Sequence, residues 1–421
     1  MFKKDVLKNG LRIITVPMKS AEAVTFLVLV GTGSKYETKD INGISHFLEH
    51  MFFKGTKNRP DTLAIAETLD RVGGEYNAFT SKEFTGFWAK VAAQHQDVAL
   101  EWISDILLNS KFDADDLERE KGVITEEINM YLDTPTAYVS DLWDKLLYGD
   151  QPAGWRVIGE KENITGMSRE KITDYFKTHY SSSNTLVSVA GNINLKTVLG
   201  KIKKRFGAIN TANPRTKVKV NESQKDPQSL VYSKQTDQTH LCLGVRAYDI
   251  FHPQRYALGL LATILGGNMS SRLFIEVREK RGLAYYVRTA IDATTDTGAL
   301  VTSAGVDNKN VEGAIKAILS EYKSLREKPI TKEELQKAKD YQKGGLSLSL
   351  ESSDNQASFY ADQELLKKEI LTKEEMFKKI DKVTTSDIKK VAEDIFKPEK
   401  LNLALIGPYK EKERFNKLLS L

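Results

Sequence analysis

Residues 164–191 read ITGMSREKITDYFKTHYSSSNTLVSVAG, and residues 380–407 read IDKVTTSDIKKVAEDIFKPEKLNLALIG. At a shift of 216 positions (380 minus 164), Ile164, Met167, Ile172, Tyr180, Val187, Val189 and Gly191 fall on Ile380, Val383, Ile388, Phe396, Leu403, Leu405 and Gly407. The match is ungapped through a stretch of helical period and into a stretch of period two, and it preserves the apolar positions of both. Any two amphipathic helix–strand units slide into partial register. Here the order of elements on either side agrees as well, so an internal duplication is the better reading.

The first copy reads outward from that segment. Residues 10–18 and 23–31 are β-branched and apolar and predict two strands joined by a short turn. Helical periodicity follows at 42–53 and again after Pro60-Asp61-Thr62. GGEYNAFTS and FTGFWAKVA predict a hairpin turning near Lys82-Glu83. Helices are expected at 96–109, 113–132, 138–148, 168–179 and 194–206, with a strand at 185–191. The polar stretch 211–228 carries two prolines and reads as a linker. The order then restarts: strands near 229–247, helices near 253–280, hairpin strands near 284–305, and more helices. Hairpins stand where an all-parallel fold would need crossovers. The expectation is an α+β chain of two homologous domains, 1–212 and 229–421, joined by a linker at 213–228. Each is a mixed, mostly antiparallel sheet packed with helices.

Composition agrees. The 421 residues suit two domains of about 200 each. Hydrophobic residues at 40% allow packed cores. Lys plus Arg is 62 against 57 acidic residues, and a net charge of +5 is too small an excess to announce nucleic acid or an anionic membrane. The single cysteine, Cys242, excludes an internal disulfide, a Cys-cluster zinc site and an iron–sulfur site. It suits a reducing compartment. Charge recurs in Met1–Gly10 before any apolar stretch, and Ala23–Val30 is too short to span a bilayer. A soluble, cytoplasmic protein is expected, although an organelle matrix would suit the same sequence. Gly31-Thr32-Gly33 lacks the rest of a nucleotide-binding signature.

Two of the six histidines lie in His46-Phe47-Leu48-Glu49-His50. On a helix, positions i and i+4 share a face, about 5–6 Å apart at Cβ, so both imidazoles can converge on one ion. Two neutral imidazoles and a carboxylate suit zinc, and three protein ligands leave a position for water. A carboxylate must come from elsewhere. In Asp113–Asp133, Leu117, Ile124, Ile128 and Tyr131 make an apolar stripe, with Glu120 and Glu127 at its edge and Glu126 nearly opposite. Phase alone therefore prefers Glu127 to Glu126 as an inward carboxylate. An acidic helix face partnered by lysines is the plainer alternative.

HFLEHMFFKGT, residues 46–56, closely resembles the inverted zinc-binding motif of the insulinase, pitrilysin and mitochondrial processing peptidase family of zinc metallopeptidases. That resemblance implies a third ligand 77 residues beyond the second histidine, which is Glu127 (50 plus 77). It further implies zinc on His46, His50 and Glu127, Glu49 as general base, and Glu120 in support of the site. Asn77, Ala78, Phe79 and Thr80 resemble the family's edge strand, which pairs with an extended substrate. Phe53 matches an aromatic lining a substrate pocket. In REKRGLAY, Arg278 and Tyr285 resemble the family's Arg/Tyr pair that contacts substrate and steadies the transition state, with Arg281 and Tyr286 competing for those roles. The second half reads LGGNMSSRLF where the first has its metal motif, so one zinc per chain is expected.

The resemblance spans nearly the whole chain and matches the short, single-unit branch, similar to its bacterial homodimeric members. It implies a processing-peptidase-like fold. It also implies a zinc metalloendopeptidase acting on peptides or unfolded polypeptide inside a chamber made by two subunits. A homodimer is expected, and a heterodimer with a metal-free homologue would also fit. The alternative is a non-catalytic or partner subunit of a heterodimeric processing peptidase, which usually has a degraded metal motif.

Overall fold

The structure is a computed structural model that describes residues 2–421. It holds two sheets. The first comprises β1 (Lys3–Val6), β2 (Arg12–Pro17), β3 (Ala23–Val30), β4 (Glu75–Thr80), β5 (Thr85–Ala92) and β6 (Thr185–Gly191), in the order β1-β2-β6-β3-β5-β4. The second comprises β7 (Gln228–Ser233), β8 (Gln238–Arg246), β9 (Ala284–Ala293), β10 (Gly298–Asp307) and β11 (Leu401–Gly407), in the order β7-β11-β8-β10-β9.

The two orders are one order. β2 pairs with β6 in parallel, as β7 does with β11, and the remaining neighbours along both ladders are antiparallel. Val187 of β6 faces Val28, and Leu403 of β11 faces Leu243. The duplicated helix–strand segment thus sits at the same place in each sheet. β1 is an addition to the first sheet that the sequence reading did not anticipate. Its four residues KKDV lack the apolar run that marks a strand.

The sheets belong to two compact units, and these are not the linear halves 1–212 and 229–421. One unit comprises the residues up to Asn129, Trp155–Val218 and Leu348–Leu371; the other comprises Met130–Gly154, Lys219–Ser347 and Thr372–Leu421. The difference lies in two helices. In the first unit, the helix Ser353–Asp362 covers the sheet face formed by Ile14, Val16, Leu27, Leu29 and Leu186. Thr25 and Ser353 share a buried hydroxyl–hydroxyl bond of 2.8 Å, and the Ser188 hydroxyl donates to the Ala357 carbonyl at 2.9 Å. In the second unit, the helix Pro135–Tyr148 covers Cys242, Ala404 and Ile406 with Leu142, Trp143 and Leu147. The central strands β6 and β11 are thereby buried along their whole length, which is why exposed polar residues do not alternate along them. Truncating a buried Trp such as Trp143 to Ala would cost about 3–5 kcal/mol.

Other elements follow local signals closely. The helix Gln96–Asn109 has the expected bounds, and Thr62–Asp70 starts on an Asp61 cap whose side chain accepts from the Ala64 N–H. The helices expected near 253–280 are Arg255–Gly266 and a π-helical segment, Phe274–Lys280. Gly266-Gly267-Asn268 ends the first of them. Among the described residues no helix is long and apolar enough to cross a membrane.

Candidate metal centre and active site

The helix Ile44–Met51 carries His46, Glu49 and His50. Its apolar side, Ile44, Phe47, Leu48 and Met51, is fully buried, which fixes the rotation that presents the two histidines. Its start is strained in a way only glycine tolerates. Gly43 has φ +97°, and a Cβ there would stand 2.8 Å from the Ile158 carbonyl oxygen. Glu37, 3% exposed, closes this end. It accepts from the backbone N–H of Gly43 at 2.8 Å and of Ser45 at 2.9 Å, and from the Asn42 amide at 2.9 Å. A carboxylate here satisfies N–H groups that the helix leaves unpaired. Burial nevertheless holds the Glu37 carboxyl above the usual range, against those bonds.

The helix Ala114–Asp133 faces this one with its Leu117, Ile124 and Ile128 buried. Tyr131, expected on that stripe, is 38% exposed. Glu126 is exposed and Glu127 half-buried, as helical phase required. Glu127 Oε2 lies 3.7 Å from His46 Nε2 and 3.4 Å from His50 Nε2. Ligand atoms of His46, His50 and Glu127 all fall within 4.8 Å of one another. Glu120, 4% exposed, stands 3.1 Å from His50 Nδ1 through Oε2 and 2.7 Å from Lys54 Nζ through Oε1.

This arrangement fits a divalent metal. A proton on His50 Nδ1 shared with Glu120 leaves Nε2 with its lone pair turned to Glu127, the donor state a metal requires. The electrostatics also favour a cation. Burial works against charge on His50, but its bonds to Glu120 and Glu127 and their charges prevail and raise its pKa to about 9. His46 goes the other way, to about 4, through burial and then the neighbouring His50 charge. Glu127 is lowered, chiefly by its bond to His50. In Glu120, the bonds from His50 and Lys54 outweigh burial and lower the carboxyl. Burial raises the Glu49 carboxyl, opposed by a hydrogen bond that its Oε2 accepts from the Thr80 hydroxyl.

Asn77, Ala78, Phe79 and Thr80 lie on β4, the last strand of its sheet, paired on one side only. Phe53 is half-buried, its ring 6.1 Å from that of Trp102. These residues and the His-His-Glu cluster share the first unit. Arg278 and Tyr285 belong to the second. Arg278 sits on the π-helical segment with its guanidinium 5.8 Å from the centre of the Tyr285 ring. Tyr285 is 74% exposed on β9. Their competitors are engaged elsewhere. Arg281 donates to Glu276 at 2.7 and 2.9 Å, and the Tyr286 hydroxyl lies 3.2 Å from His240 Nδ1.

Sequence reasoning did not single out Glu37, Lys54 or the Thr80–Glu49 bond. Lys54 stands four residues after His50, a spacing that a helix-face reading continued past Met51 would have reached. Glu37 lies nine residues before His46 in a 3₁₀ and turn segment, where no periodicity exists to mark it.

Fold and cluster together define a two-domain α+β protein with a His-His-Glu group that could hold a metal ion. The family model described as Insulinase (Peptidase family M16) matches residues 12–161, and the Peptidase M16 inactive domain matches residues 166–341. The chain is 37% identical over 408 residues to the uncharacterized zinc protease YmxG of Bacillus subtilis, covering 97% of this chain and 98% of that one. It is 33% identical over 417 residues to an uncharacterized zinc protease of Streptomyces coelicolor, covering 98% of this chain and 90% of the relative. Among solved structures, a protease from Helicobacter pylori superposes with a TM-score of 0.91 at 26% identity, over 97% of this chain and 99% of that chain. The chain belongs to the insulinase family of peptidases, family M16.

Proposed function

We propose that the protein is a zinc metalloendopeptidase that cuts peptides or extended segments of unfolded proteins in a chamber formed by two subunits. The observation that carries this reading is the convergence of His46, His50 and Glu127 beside Glu49 and the one-sided edge of β4. Zinc held by those three residues would supply Lewis acidity, polarising a peptide carbonyl and acidifying water.

The chain's own groups do the rest. The unpaired edge of β4 offers alternating N–H and C=O groups to an extended peptide, so affinity comes from backbone bonds with little demand on sequence. In hydrolysis the oxygen of water bonds to the carbonyl carbon and the C–N bond breaks. Glu49 takes the water's proton and passes it to the leaving amine nitrogen. Its raised carboxyl suits a group that must both accept and return a proton. Glu120 holds the His50 ring. Half-buried Arg278 lies over the ring of exposed Tyr285, so the two present one surface to a substrate, whereas Arg281 is bonded to Glu276 and Tyr286 to His240, which favours the first pair. Because one chain carries both sets of residues, a homodimer would be self-sufficient.

The test is incubation of the pure, zinc-loaded protein with a mixed peptide library, with and without chelator. Internal cuts that chelator abolishes and zinc restores are expected. An absence of cuts from protein shown to hold zinc would favour the non-catalytic partner reading.

A further inference from the structure

Along β4, Tyr76, Ala78 and Thr80 are half-buried, and Glu75, Asn77 and Phe79 are exposed. Phe79 leans over Gly86 of the neighbouring strand, where an added Cβ would meet its ring at 2.3 Å. Thr80, on the opposite face, reaches the helix Ile44–Met51 and gives its hydroxyl proton to Glu49 Oε2. An ionised carboxylate only accepts, so the direction of this bond is set.

The strand ends at Thr80, and the turn beyond it is held firmly. The Ser81 N–H donates to the Phe84 carbonyl at 2.9 Å, and the Lys35 N–H to the Lys82 carbonyl at 2.9 Å. Buried Glu83 is salt-bridged to Lys35 at 3.0 Å and to Lys217 at 2.6 Å. One end of the short strand is therefore anchored, while its outer edge has no neighbour in the sheet.

We propose that Thr80 is a positioning residue: its hydroxyl, carried on the anchored end of β4, orients the Glu49 carboxylate. This rests on the peptidase reading above. The pairing with β5 and the held turn beyond Thr80 fix the hydroxyl at Glu49 before substrate arrives. Removing the hydroxyl should therefore act on kcat and leave KM nearly unchanged. The sequence assigned Thr80 to substrate contact alone. The structure gives its side chain to the base and leaves its strand edge to the peptide.

The experiment uses the zinc-loaded full chain and one cleaved peptide of roughly ten residues, able to pair with most of β4. Thr80→Val, close in shape and suited to a strand, should lower kcat about tenfold, with KM changed less than about twofold. Thr80→Ala should reproduce that loss and Thr80→Ser should keep wild-type kcat. All three should titrate zinc as wild type does. Wild-type kcat in Thr80→Val, a change confined to KM, or loss of zinc would each overturn the assignment. An inactive zinc-loaded wild type would instead remove the peptidase reading on which it rests.

Discussion

Glu120 Oε2 and His50 Nδ1 stand 3.1 Å apart, so a carboxylate on one helix fixes the ring of a proposed metal ligand on another. The other oxygen of Glu120 takes Lys54 at 2.7 Å, which holds the carboxylate in place without competing for the imidazole. Glu120→Gln keeps the shape and removes the charge. Zinc affinity is expected to fall about 10–100-fold, measured by competition with a chromophoric chelator.

Glu127→Gln should weaken zinc binding far more than Glu126→Gln. The two are adjacent in sequence, but one faces both imidazoles and the other faces solvent. Metal content of the purified variants checks this, and equal content would remove Glu127 from the ligand set.

Glu49→Gln should keep its zinc and lose turnover. The amide retains the size of the carboxylate but cannot take a proton. Zinc loss matching that of His50→Ala would make Glu49 a ligand and leave the base unassigned.

Arg278→Ala and Tyr285→Phe should each lower peptide turnover at unchanged zinc content, since both lie outside the unit that holds the His-His-Glu cluster. If each site is shared between subunits, Glu49→Gln mixed with the Arg278→Ala Tyr285→Phe double variant should regain activity. With free exchange, hybrids are roughly half of the dimers and carry one sound site each, so about one quarter of wild-type activity is the ceiling. Failure to regain activity after demonstrated exchange would argue against a shared site.

His179 supplies a prediction about stability. It is buried between Tyr175 and Tyr36, with ring centres at 4.3 and 6.2 Å, and burial, then the Arg215 charge, pushes its pKa down to about 4. The unfolded chain binds this proton near the ordinary value of about 6.5. Between those two values the unfolded state holds more protons, so stability falls as pH drops through the window, by up to about 1.4 kcal/mol per pH unit. Denaturant melts at several pH values should show a shallower fall for His179→Phe than for wild type. Parallel curves would show that His179 is not the group responsible.

The features legible in the chain are those that depend on neighbours a few residues away. Gln96–Asn109 announces itself by period and flanks, and the spacing of His46 and His50 places both rings on one side of any helix that contains them. Helical phase separated Glu127 from Glu126, although only the family resemblance tied Glu127 to the histidines. The repeat at 164–191 and 380–407 foretold that the second sheet would copy the first, because sheet order is set by the same apolar runs in both.

Contacts between distant segments decided the remainder. A strand as short and polar as Lys3–Val6 exists because Arg12–Ile14 and Thr15 offer it an edge, not because its residues favour extension. The exchange of Pro135–Tyr148 and Ser353–Asp362 between units follows from the need to cover the second face of each sheet, and an amphipathic helix carries no mark of which sheet it will cover. The bonds from Glu37 to the start of the helix Ile44–Met51, from Glu120 to His50 and from Thr80 to Glu49 join residues 6 to 70 positions apart. Such bonds need directions of side chains to within fractions of an ångström, and periodicity along a chain gives only the face from which each side chain begins.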